Sequence, residues 1–123
     1  MDQKHKRAVE GDEVWLFLNH VKADQWEKHK EFVLNILIPA AEKIVPAEMG
    51  QTRFLNASEP NEDGTYTSVF LMDPVVENGN YNIEDILKKA HGDEQGHAYT
   101  EQWTESLAAD QVGFTVKQSP WWV

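Results

Sequence analysis

The chain predicts an α+β fold: one antiparallel four-stranded sheet with two helical regions, in the order βαββαβ. Three observations carry this. "DEVWLFLNHV" is a strand-like run near the start. The apolar period then changes to that of a helix through residues 24–45. Finally, two β-rich runs flank "EPNEDG", whose Asp63-Gly64 pair is a turn signal favouring a hairpin.

In strand 1, Val14, Trp15, Leu16, Phe17 and Leu18 are all apolar, so both faces of the strand need cover. In the first helical region Trp26, Val33, Leu37, Ala40 and Ile44 form one stripe, widened by Phe32 and Ile36. Asp24 with Glu27 three residues later has the pattern of a capping box and sets the helix start at Asp24. Pro39 cannot donate to the carbonyl of Asn35, which predicts a bend over the sheet. Pro46 and Gly50 end the unit. "GQTRFLNAS" and "TYTSVFLMDPV" are strands 2 and 3, followed by a loop through Asp73-Pro74 and Asn78-Gly79. A second helical region opens at Asn82, with Ile83, Ile86, Leu87 and Ala90 on one stripe, and breaks at Gly92. Asp93 is a candidate cap for a further helix in which Tyr99, Trp103 and Leu107 recur every fourth residue. "DQVGFTVKQS" is the last strand, and "PWWV" forms an aromatic tail. This order is the ferredoxin-like arrangement, with both helical regions on one face of the sheet. The other face is also apolar: in strand 3, Val69 and Leu71 lie opposite Phe70 and Met72. A second copy of the chain is its expected cover, so the protein is expected to be a homodimer burying more than about 2,000 Å².

At 123 residues the chain is expected to form one domain: an N-terminal flexible arm over 1–12, a ferredoxin-like domain over 13–118 and the tail over 119–123. Its 21 acidic against 11 basic residues give a formal charge of −10, which disfavours nucleic acid and anionic membrane as partners. The basic cluster "KHKR" lies in a polar leader without the apolar region of a signal peptide. The longest apolar stretch, "FVLNILIPAA", is too short to span a bilayer. There is no cysteine, hence no disulfide or thiol nucleophile, which points to cytoplasmic residence. No glycine-rich phosphate loop, nucleophile elbow or dinucleotide fingerprint occurs, and no cofactor is expected.

Element order, length and two-sided strands over residues 13–118 resemble the dimeric α+β barrel superfamily. Its members include cofactor-independent antibiotic-biosynthesis monooxygenases and haem-degrading monooxygenases. The resemblance implies sheet-to-sheet dimers and a pocket between sheet and helices that commonly takes apolar or aromatic molecules. The haem-degrading members are similar at three points: an Asn near the end of strand 1, an aromatic residue, and a His ten positions after that aromatic. Here these are Asn19, Tyr81 and His91, although those members have Trp where this chain has Tyr81. On that resemblance Asn19 would hold a substrate oxygen, His91 would act as base or orienting group, and Tyr81 or Trp103 would form the aromatic wall.

Strand parity puts Trp15, Phe17, Asn19 and Val21 on one face, with Val14, Leu16, Leu18 and His20 on the other. If the aromatic face lies under the helices, Asn19 lines the pocket and His20 points to the dimer interface. Trp15, Phe17, Trp26, Phe32, Tyr99 and Trp103 are then the candidate ligand-binding residues. Large aromatics with few polar groups suit a fatty acyl chain or a polycyclic aromatic. Each candidate also has a plainer reading: Asn19 as a strand-end residue bonding a loop, His91 as a helix C-terminal cation, and the aromatics as core filling. His29, among Glu27, Lys28, Lys30 and Glu31, is expected on a solvated face. Glu94, His97 and Glu101 share a helix face, where a solvated acidic surface is the expectation and a metal site the rarer alternative. Two functions follow: a dimer binding a small apolar ligand, or an oxygenase acting on such a ligand in the same pocket.

Overall fold

A computed structural model describes residues 7–120. Its strands are β1 (Glu13–Val21), β2 (Thr52–Asn56), β3 (Tyr66–Met72) and β4 (Val112–Lys117). They form one antiparallel sheet in the order β2-β3-β1-β4. The helices are α1 (Trp26–Phe32), α2 (Ile38–Ile44), α3 (Pro46–Met49), α4 (Ile83–His91) and α5 (Asp93–Glu105). This is the ferredoxin-like α+β fold, with the helical layer on one side of the sheet.

Asp24 does not cap the first helix. Residues Ala23–Gln25 form a 3₁₀ turn, and no side chain caps either it or α1. Just before Pro39 the helix widens into a π-helical stretch, Val33–Leu37, in which the Ile38 amide donates to the Val33 carbonyl. The wider turn ends where proline removes the next donor, and one extra residue per turn keeps Phe32, Val33, Leu37, Ala40 and Ala41 all buried. The second helical region opens at Asn82 as expected, and Asn82 caps α4, its Oδ1 accepting from the Asp85 amide at 2.8 Å. Gly92, at φ +93°, breaks the helices. It also occupies the cap position of α5, displacing Asp93 into the first turn, where that side chain makes no capping bond. Leu107 lies past the end of α5 and bridges Val21 at the sheet.

α4 and α5 pack together around Gly96, where a Cβ would stand 2.5 Å from both the backbone nitrogen and the Cα of Lys88. The core joins Phe32, Leu37, Ala41, Phe70, Met72, Ile86 and Leu87. Register places Trp15, Phe17, Asn19, Phe54, Phe70 and Met72 on the helix-covered face. The opposite face carries Leu16, Leu18, Val69 and Leu71, with Val112, Phe114 and Val116 beside them on β4. Among the described residues nothing buries those β4 side chains; Phe114 is 50% exposed. The segment read as an arm is tied down from Ala8 onward: the Ala8 amide donates to Asp73, the Gly11 amide donates to the Gln118 carbonyl just past β4, and the Gln118 amide donates back to the Asp12 carbonyl. The Trp121-Trp122 tail lies outside the described residues. Among those residues no helix is long and apolar enough to cross a membrane.

Candidate functional site

An apolar cavity of about 80 Å³ lies between the sheet and the α2–α4 side of the helical layer. Phe17, Phe54, Phe70 and Met72 rise from the sheet, and Leu37, Ala41, Val45 and Ile86 close it from the helices. Phe17 reaches it because its ring lies across Gly113 on β4, where a Cβ would come within 2.7 Å of the ring. Any other residue at 113 would push the ring away. The polar rim consists of Glu48, Thr52, Asn80, Tyr81 and Gln111.

These polar groups are partly committed to one another. Thr52 Oγ1 donates to the Glu48 carbonyl at 2.8 Å, and Glu48 Oε2 accepts from the Asn80 amide at 2.8 Å. Tyr81 Oη accepts from the Val76 amide at 2.8 Å, so its own proton remains available to donate. Burial, reinforced by the charge on Glu48, raises the Tyr81 phenol pKa although the Val76 bond opposes this, and it stays protonated at neutral pH.

Asn19 is fully buried on the helix-covered face. Its Nδ2 donates to the Ser68 carbonyl at 3.3 Å, and its Oδ1 accepts from Gln111 Nε2 at 2.7 Å. It therefore reaches the cavity through Gln111, a residue that sequence reasoning passed over as part of an edge strand. His91 is exposed at the end of α4, its ring 5.0 Å from Tyr99. Both residues line a separate groove on the outside of the helices, with Asn35, Pro39 and Lys43. The structure thus brings Tyr81 and, by one hydrogen bond, Asn19 to the cavity, and it leaves His91 elsewhere.

Of the six aromatics expected around a ligand, Phe17 alone lines this cavity. Trp15 backs it, 5.4 Å from the Tyr81 ring. Trp26 is buried and stacks on Tyr66 at 4.9 Å. Phe32 and Trp103 line a smaller cavity between α1 and α5, and Tyr99 lines the outer groove. Glu48, Thr52, Phe54, Met72 and Gln111 went unseen because they come from α3, β2, β3 and the residue before β4, and only the register aligns them. His20 lies on the uncovered face, opposite Thr67. His97 contacts Glu84 at 3.1 Å and Glu101 at 3.5 Å, and no group of three metal-ligating side chains forms among the described residues.

His29 overturns its expected place on a solvated face: it is 2% exposed. Its Nδ1 lies 3.1 Å from Ser106 Oγ. Ser106 Oγ donates to the Trp103 carbonyl at 2.6 Å, so Nδ1 carries the imidazole proton and donates to Ser106. Burial pushes the His29 pKa down to about 4. The unfolded chain, with an ordinary value near 6.5, binds this proton first, so stability is lost as pH falls from about 6.5 to about 4. The loss is on the order of 3 kcal/mol. Urea midpoints measured across that window are expected to fall steeply for the wild type and to be flatter for His29→Gln. Parallel slopes would remove His29 as the cause.

No family model matches the sequence, and no curated protein matches it. Solved structures match in shape. A NIPSNAP family protein from Agrobacterium tumefaciens has a TM-score of 0.60 at 8% identity, with 98% of this chain and 96% of that one covered. A dimeric ferredoxin-like protein of unknown function from Thermobifida fusca has a TM-score of 0.49 at 19% identity, covering 92% of this chain and 97% of that chain. An antibiotic biosynthesis monooxygenase-like protein from Caulobacter crescentus has a TM-score of 0.48 at 15% identity, covering 90% of this chain and 92% of that chain. The class defined is the ferredoxin-like α+β fold. At these identities the likeness describes the fold.

Proposed function

We propose that the protein is a homodimer, joined through the uncovered sheet face, that binds a small apolar molecule in the cavity between sheet and helices. The observation that carries this reading is the cavity itself: an apolar chamber floored by Phe17, Phe54 and Phe70, with its few polar groups at the rim. A volume of about 80 Å³ is well below the several hundred Å³ of pockets that enclose drug-sized ligands. A fatty acyl chain or fused ring would enter end-on or spread the walls, where Met49 and Met72 are the adaptable side chains. The Glu48 carboxylate at the rim and the net charge of −10 favour a ligand whose polar end is neutral. An oxygenase reading would use Tyr81 as proton donor at the ligand, but its base, His91, lies on the outer groove.

Calorimetric titration with toluene, 1-naphthol and decanoate tests the binding reading. Toluene is expected to bind, with decanoate weakest because of Glu48. Ala41, buried at the cavity wall, is the residue to enlarge. Ala41→Leu is expected to weaken binding by at least about tenfold while the fold persists. Equal affinity in the filled variant, or no binding of any probe to the wild type, would sink the proposal.

A further inference from the structure

The groove on the outside of the helices has a volume of about 250 Å³, larger than either of the two cavities described above. Its long side follows α2 and the π-helical stretch before it: from Asn35 to Lys43 the chain advances about 12 Å along the axis. The other bank is the end of α4, joined by Tyr99 of α5. Small side chains, Ala40 and Ala90, leave the room between the banks, and Pro39 stands one helical turn before Lys43. The Asn80 amide, just before α4, donates to Glu48, just past α2, so α4 starts where α2 ends. The two helices therefore run in opposite directions, which sets Lys43 toward one end of the groove and His91, edge-on to Tyr99 at 5.0 Å, toward the other. The charge of this groove runs against that of the chain. Although the chain carries −10 overall, Lys43 is in the lining and no acidic residue is. Glu42 adjoins Lys43, but successive residues of a helix do not share a face. The lysines of α4 are matched within their own helix, Lys88 with Glu84 and Lys89 with Asp85, each at 3.1 Å. Lys43 is exposed, and among the described residues neither it, Asn35 nor His91 has a side-chain hydrogen bond or an ion pair.

We propose that this groove is a second binding site, for a flat aromatic carboxylate of one or two fused rings, with the carboxylate at Lys43 and the rings laid along Pro39 and Ala90 toward Tyr99. Charge complementarity selects the anion: an ammonium would meet Lys43, and a neutral amide would leave the lysine unmatched. An exposed ion pair by itself contributes little, so affinity rests on the apolar walls as well as on the lysine. A volume of about 250 Å³ is close to the lower end of small-molecule pockets, which suits a compact ring acid and leaves a long acyl chain overhanging. The groove shares no lining residue with the apolar cavity under the helices, and its preference is the reverse of the one expected there, where Glu48 stands at the rim. The two sites are independent, and either can fail without the other.

The test is a titration of the full-length protein with 2-naphthoate, 2-naphthamide and acetate, followed by backbone amide signals in NMR spectra. The acid is expected to move the amides of Lys43, Ala90, His91 and Tyr99 along one saturating curve, while those of Thr52, Phe54 and Phe70 around the inner cavity stay put. The amide, which keeps the rings and loses the charge, is expected to bind about tenfold more weakly, and acetate, which keeps the charge and loses the rings, not to saturate. Lys43→Met replaces an exposed side chain and should fold normally. It is expected to weaken 2-naphthoate about tenfold and to leave 2-naphthamide unchanged, with the acid's affinity restored in Lys43→Arg. Equal affinity for acid and amide, an acid titration indifferent to Lys43→Met, a linear drift without saturation, or shifts centred on the inner cavity would each overturn the proposal.

Discussion

Phe114→Asp is expected to convert the protein from a dimer to a monomer without unfolding it. Phe114 lies on an edge strand and is 50% exposed in the single chain, so a carboxylate there costs the protomer little. In a sheet-to-sheet dimer the same position would sit among Leu16, Val112 and Val116, and each subunit would bring an unpaired charge into an apolar layer. Truncations that strand a buried charge cost about 3–5 kcal/mol, and two copies share the interface, so dissociation should strengthen by at least a hundredfold. Light scattering at micromolar concentration should give twice the chain mass for the wild type and the chain mass for the variant, with unchanged far-ultraviolet dichroism. A monomeric wild type would remove the dimer from the proposal, and a variant that stays dimeric would move the interface to another surface.

Phe70→Ala is expected to cost about 3–5 kcal/mol, the range for removing a buried aromatic ring, which is a third or more of a typical domain's stability. Phe70 is 4% exposed on a central strand, packs edge-on against Phe54 at 5.1 Å and also forms the cavity floor. The space left by the ring would join the existing 80 Å³, so the shell has little to collapse onto and the cost should fall at the upper end. The enlarged chamber links stability to binding. A ring that the wild type holds poorly, such as naphthalene, should enter the variant and restore up to about 2.7 kcal/mol at a hundred times its dissociation constant. Urea denaturation with and without naphthalene measures both effects. A loss below about 1 kcal/mol would mean that Phe70 is not part of the packed core.

Local rules carried the reading a long way where one element sufficed. Asn82 marked the opening of α4, and Gly92 marked a break that its positive φ accompanies. Strand parity separated Asn19 from His20. Asp24 failed because a 3₁₀ turn intervened between the expected cap and the first α-helical residue, a choice of backbone that side-chain spacing does not encode. His29 was misjudged for a different reason. Its charged neighbours suggested solvent, although it stands three residues from both Trp26 and Phe32 and so falls on the apolar stripe. That spacing was the available signal.

The sequence by itself determined the element order, the two-sided apolar strands and hence the ferredoxin-like sheet, because periodicity and turn chemistry act within a few residues. The composition of the cavity was a tertiary matter. Gln111 meets Asn19 across 92 positions of chain, and Glu48 meets Asn80 across 32. Tyr81 stands just before α4 and His91 ends it, yet one lines the cavity under the helices and the other the outer groove. Which side chains share a space depends on strand register and on how closely α4 and α5 approach at Gly96, and both follow from packing between segments distant in sequence.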